Sequence, residues 1–210
     1  MTMVSSIVPP LLTAVVTLGG GWFITTRVTD RWDKIKKRRE MDLASAQDFQ
    51  RLYGEFCAAW KSWDTSVQHP TTVGSSTDRA WECLEHATAI EGEIEALLAK
   101  VAGERFLSED DVDVLGAVRE GFQELRKAIR EGVSLADGKS RFEYSFFKGV
   151  CVYTSHLLGT SPHTIDLPDR TVSVKSFLGI TSPEKEGRWI QTAKRLNLVS
   201  DQEPKIADLR

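Results

Sequence analysis

Ile7-Val8-Pro9-Pro10-Leu11-Leu12-Thr13-Ala14-Val15-Val16-Thr17-Leu18-Gly19-Gly20-Gly21-Trp22-Phe23-Ile24 is the stretch whose reading decides the fold, and no charged side chain occurs anywhere in residues 1–26. With its Thr flank it reaches about 20 residues, the length a helix needs to cross roughly 30 Å of hydrocarbon. Pro9 and Pro10 fall in the first turn, where missing backbone donors cost least, so they mark a start and not a break. Gly19, Gly20 and Gly21 weaken a helix in water, but in lipid they let a second backbone approach closely. A cleaved secretory signal needs its positive charge before the apolar run and a small-residue cleavage site after it; here the basic residues follow. A core helix of a soluble domain carries a polar face, and this stretch offers no charged one. The expectation is a transmembrane anchor over residues 1–26.

Outward from that stretch, residues 27–39 hold seven basic side chains, Arg27, Arg31, Lys34, Lys36, Lys37, Arg38 and Arg39, against Asp30 and Asp33. Short loops rich in Lys and Arg stay on the cytoplasmic side. That places the N-terminus outside the cell (inner) membrane and the bulk of the chain in the cytoplasm. Trp22 and Trp32 bracket the inner boundary, where amphipathic rings tend to sit. The spacing makes Arg31, Lys34, Lys36, Lys37, Arg38 and Arg39 the expected contacts for anionic lipid headgroups. Within the span, Thr13, Thr17 and Gly21 recur every four residues, and with Gly20 they form a small-residue stripe of the kind that lets membrane helices self-associate. A homo-oligomer is therefore among the expected partners.

The formal net charge of −3 divides unevenly. The 27–39 collar contributes +5, and residues 40–210, with 20 basic and 28 acidic residues, carry −8. Headgroups attract such a neck and repel such a body. Nucleic acid is not an expected partner, because phosphate affinity comes from Lys and Arg. Cys57, Cys83 and Cys151 are three, widely spaced and free of any CxxC pair, which fits a reducing compartment and agrees with the charge-derived orientation.

Past the collar the periodicity is helical. A juxtamembrane helix over residues 27–45 leads into Ala46, Phe49, Tyr53, Phe56, Trp60 and Trp63, spaced 3, 4, 3, 4, 3, one face of a long helix. Phe49, Tyr53, Phe56, Trp60 and Trp63 are its packing or partner seam. Read backwards, the same seam passes through Asp42 and Arg39. Gln68 to Thr77 is a linker by composition. Cys83, Ala87, Ile90, Ile94, Leu97 and Val101 mark a second amphipathic helix with an acidic outside. Ser108 with Asp111 reads as a capping box opening a third, whose buried face is Leu115, Val118, Phe122, Leu125 and Ile129. Phe142, Phe146, Val150, Tyr153 and Leu157 mark a fourth. Residues 171–178 are expected to be extended, and Ser182-Pro183 to open a short helix through Leu196 that docks by Trp189, Ala193 and Leu196.

The fold class is then mainly α: a transmembrane helix running into a long juxtamembrane helix, a cytosolic antiparallel bundle of about four helices over 46–158, and a loop, short helix and tail over 159–210.

Chemistry is harder to find. Gly138-Lys139-Ser140 resembles the end of a phosphate-binding loop, but the Gly required five residues earlier is Val133, and no strand feeds it. Cys83 and His86 share a helix side without a second ligand pair, and Cys151 with His156 is looser still. His69 and His163 stand in loops beside prolines. No nucleophile elbow is present. The sequence thus assigns no catalytic residue, no metal ligand and no cofactor. It points to a membrane-anchored helical protein working through an unknown protein partner, as adaptor, scaffold or regulatory subunit. The alternatives are an oligomerising membrane effector of a toxin or phage-defence type and, third, a membrane-tethered hydrolase.

Overall fold

The computed structural model describes the backbone of residues 8–68, 76–134, 138–160, 167–182 and 188–197, and the side chains among them except those of 8–26, 76–77, 138–143 and 188–189. Six helices follow in order: α1 (Val8–Gln68), α2 (Ser76–Glu104), α3 (Glu109–Glu131), α4 (Gly138–Gly159), α5 (Arg170–Thr181) and α6 (Arg188–Arg195). The described residues contain no strand. The chain forms two compact units, Met1–Met41 and Asp42–Arg210. In the first, the described side chains 27–41 lie on helix and are mostly exposed. Among the described residues no helix is long and apolar enough to cross a membrane. The side chains of 8–26, on which the anchor reading rests, lie outside the described residues.

The second unit is a bundle built around α3. Helix α3 packs on α2, α4, α5 and α6, and its Phe122 meets Phe56 of α1 with ring centroids 4.9 Å apart. Cross-contacts fix the directions. Lys100 with Asp48 and Ser62 with Cys83 run α2 antiparallel to α1; Arg119 with Glu95 and Arg126 with Glu91 run α3 antiparallel to α2; Gln50 with Ser155 and Trp60 with Tyr144 run α4 antiparallel to α1.

Sequence spacing explains most of the burial. Ile90, Ile94, Leu97 and Val101 of α2, and Leu115, Val118, Phe122, Leu125 and Ile129 of α3, are all buried. Helix α3 opens on a complete capping box, with Asp111 N donating to Ser108 Oγ (3.2 Å) and Ser108 N to Asp111 Oδ2 (2.9 Å). It closes on Gly132 at φ 70°, where the Gly132 and Val133 amides donate to Ile129 O and Ala128 O. That is the left-handed glycine cap that satisfies orphan carbonyls.

Two expectations are corrected. Residues 171–178 are not extended but form α5, so the described fold has six helices and not four with a short addition. Thr171, Val172 and Val174 suggested a strand. Asp169 decides otherwise, its side chain accepting from Val172 N (2.8 Å) as an N-cap, while Ser176 and Ile180, four apart, face the core. On α4 the buried set is Phe146, Phe147, Val150, Cys151, Thr154 and Leu158, whereas Tyr153 and Leu157 are half-buried and Phe142 lies outside the described side chains. The face is turned by one residue, and Phe147 supplies a ring packed against Phe56, at 5.2 Å.

Candidate functional site

The surface with the most chemistry in the first unit is the collar. At 100° per residue, Arg27, Arg31, Lys34 and Arg38 fall on one helix face, spaced 4, 3, 4. Val28, Trp32 and Ile35 fall on one flank of that row, and Asp30 and Asp33 on the other. Trp32 is 67 % exposed and Val28 49 %. Lys36, Lys37 and Arg39, also exposed, extend the positive charge around the helix. An exposed indole beside a row of cations suits the boundary between headgroups and hydrocarbon, since both groups can be satisfied there at once. Thr13, Thr17, Gly20 and Gly21, the expected self-association stripe, lie outside the described side chains.

The aromatic seam turns inward. Phe49, Phe56 and Trp63 are buried, and Tyr53 and Trp60 are half-buried. Trp63 Nε1 donates to Val133 O at 2.8 Å, tying α1 to the end of α3. Around Tyr144 the seam meets a small polar cluster: Tyr53 and Tyr144 share a hydroxyl contact of 3.3 Å, and the Cys57 thiol lies 3.7 Å from Tyr144 Oη. Burial pushes the Tyr53 phenol up, with the Tyr144 hydrogen bond adding to it, and burial likewise raises Tyr144. Cys151, 2 % exposed, is raised well above the ordinary thiol value by burial first and by Cys57 second. Raised thiols are poor nucleophiles. Tyr53, Tyr144 and Cys151 stay protonated and pack.

One buried ion pair closes the end of the bundle where α1 enters it. Arg105, just past α2, pairs with Asp42 at 2.8 Å, their side chains 4 % and 7 % exposed. The same guanidinium donates to Leu157 O (3.0 Å) and Leu158 O (2.7 Å). It therefore satisfies carbonyls at the α4 C-terminus that the helix cannot satisfy itself. Sequence reading noticed Asp42 on the apolar seam but missed its partner. A carboxylate at a core register demands a buried cation, and that demand was the available signal.

Of the rejected chemistries, none gains support. Between α1 and α2 lies an open groove of ≈ 390 Å³ lined by Lys61, Ser62, Thr65, Ser66, Arg79 and Glu82. Thr65 and Ser66 donate their hydroxyls to the backbone carbonyls of Lys61 and Trp63. The Cys83 thiol faces Ser62 Oγ at 4.0 Å while His86 is exposed, and among the described residues no group of three or more His, Cys, Asp or Glu could hold a metal ion. Gly138 opens helix α4 and follows helix α3, without the strand a phosphate loop requires. On α6, Arg195 is held by Asp110 (3.0 Å) and Asp113 (2.9 Å) of α3, and Lys194 lies over the Phe146 ring at 5.8 Å. These two cations are docking contacts. Compared with family models, with curated proteins and with solved structures, the chain matches none.

Proposed function

We propose that the chain is a single-pass membrane protein of the cell (inner) membrane, N-terminus outside, whose cytoplasmic helical bundle acts through protein contacts as an adaptor, scaffold or regulatory subunit. One observation carries this reading: the exposed Val28 and Trp32 face, with the row of Arg27, Arg31, Lys34 and Arg38 beside it, follows directly on 26 residues without a charge. Lipid is the solvent that accepts all three features together. Burial holds the phenols of Tyr53 and Tyr144 and the thiol of Cys151 protonated, and contact, not turnover, is the role we assign to the bundle.

Alkaline extraction of membranes from cells expressing the full chain is the test. The chain is expected to stay in the pellet at high pH and to require detergent for release. Recovery of the intact chain from the detergent-free soluble fraction would remove the anchor and the localisation with it.

A further inference from the structure

Helix α5 is apolar on its outward side as well as its inward one. Ser176 and Ile180 face the core, while Val174 and Leu178, one turn apart, are 56 % and 61 % exposed. At 100° per residue those two stand at the centre of the outward arc, with Arg170 on one edge and Thr171 and Lys175 on the other. Arg170, Thr171 and Lys175 are exposed too, and neither cation makes an ion pair among the described residues. No acidic residue occurs in 170–181, on a body that carries −8 over residues 40–210. We infer that this face of α5 is a second lipid contact, resting in the headgroup layer of an anionic membrane with Val174 and Leu178 turned toward the acyl chains.

Charge, position and size select lipid as the occupant. An apolar pair between two long cations is the pattern of a helix lying in the interface, where the cationic stems pass along the apolar side chains and reach phosphate. Of the carboxylates beside it, Asp169 is engaged as the cap on Val172 N, and Asp110 and Asp113 hold Arg195. Gly179 lies against Val112 in the first turn of α3, at the end of the bundle that Asp42 and Arg105 close where α1 enters. That is the end to which the proposed anchor attaches. A protein fits less well. The helix has 12 residues, a strip of about 18 Å by 10 Å, roughly a quarter of the ~800 Å² per partner that a stable interface buries. A second copy seated there would also set Arg170 and Lys175 against themselves. A chain tethered to the membrane needs no such area, because tethering keeps the lipid at high effective concentration. The choice of lipid rests on the anchor reading, and lipid labelling at separate positions tells the two apart.

The photoreactive residue benzoylphenylalanine is placed singly in the full chain, instead of Leu178, Val152 or Val15. Each chain is reconstituted by detergent removal into vesicles of phosphatidylcholine with about one third phosphatidylglycerol, an anionic lipid. Irradiation and peptide mass analysis are expected to find lipid attached at 178 and at 15, but not at 152, although Val152 on α4 is 64 % exposed. Arg170→Gln with Lys175→Gln, or vesicles of phosphatidylcholine alone, should cut the yield at 178 about tenfold. The yield at 15 and the unfolding midpoint should hold, since both cations stand in solvent. No lipid at 178 overturns the α5 contact, and lipid at 15 in the same preparation then leaves the anchor standing. Lipid at 178 without lipid at 15 keeps the contact and removes the anchor. Equal yields at 178 and 152, a yield at 178 untouched by the two Gln changes, or a protein adduct at 178 in place of lipid would each overturn the contact as well.

Discussion

Arg105 has two jobs, and they separate by mutation. Removing it leaves Asp42 buried and unpaired and strips two donors from the α4 C-terminus. Breaking a buried pair costs about 3–5 kcal/mol, so Arg105→Ala is expected at the top of that range in urea unfolding. Asp42→Asn should cost less, because Arg105 keeps both carbonyls. Equal losses would mean that the carbonyl contacts contribute nothing. A second residue-scale expectation follows from Tyr53, Tyr144 and Cys151, all raised by burial. In the unfolded chain these groups lose protons near their ordinary values of 10.0 and 9.0, earlier than in the folded one. Their contribution to stability is therefore complete below about pH 9 and lost as pH climbs past it. Denaturation midpoints should fall above pH 9, and Tyr53→Phe with Cys151→Ala should flatten the fall. An unchanged slope would place these groups in water.

Between elements, α3 meets α4 closely at Gly121. A Cβ at Gly121 would overlap the Phe147 ring, which itself packs on Phe56 and Phe122. Alanine favours a helix over glycine by about 1 kcal/mol, but overpacking a filled core costs about 1–3 kcal/mol. Gly121→Ala is expected to destabilise on balance, while the same change at Gly92, with open space beside it, stabilises. The opposite order in thermal melts would show that Phe147 can move aside freely. This contrast also marks what was readable from the chain. The faces of α2 and α3 were legible because their apolar residues recur without interruption over several turns. The offset on α4 was not, since Phe146 and Phe147 are adjacent and only the hole at Gly121 decides which ring points into α3. Helix α5 was hidden for a related reason: over 12 residues five β-branched side chains outweigh one cap in any local count, and the core contacts of Ser176 and Ile180 come from helices distant in sequence. The partner of Asp42 was illegible in the same way. Pairings across 63 positions leave no local pattern.

At the scale of the molecule, charge is divided by position: +5 over residues 27–39 and −8 over residues 40–210. Each collar residue contributes about 1 kcal/mol on an anionic surface, and that attraction fades as salt shortens the screening length from about 10 Å at 0.1 M to about 3 Å at 1 M. A spanning helix is held far more strongly and without regard to salt. The two parts of the proposed anchor thus predict different things. Replacing Arg31, Lys34, Lys36, Lys37, Arg38 and Arg39 together by Gln should leave the chain in the membrane, with its retention indifferent to salt. It should instead disturb orientation, because the Lys and Arg count beside a span sets which side stays inside. A fraction of chains is then expected with the bundle outside, where added protease digests it in intact cells, while the parent chain stays protected. If the Gln variant leaves the membrane instead, the collar was the whole attachment and the first 26 residues hold nothing. If it stays put and fully protected, topology is set by something other than the collar, and the acidic body is the next place to look.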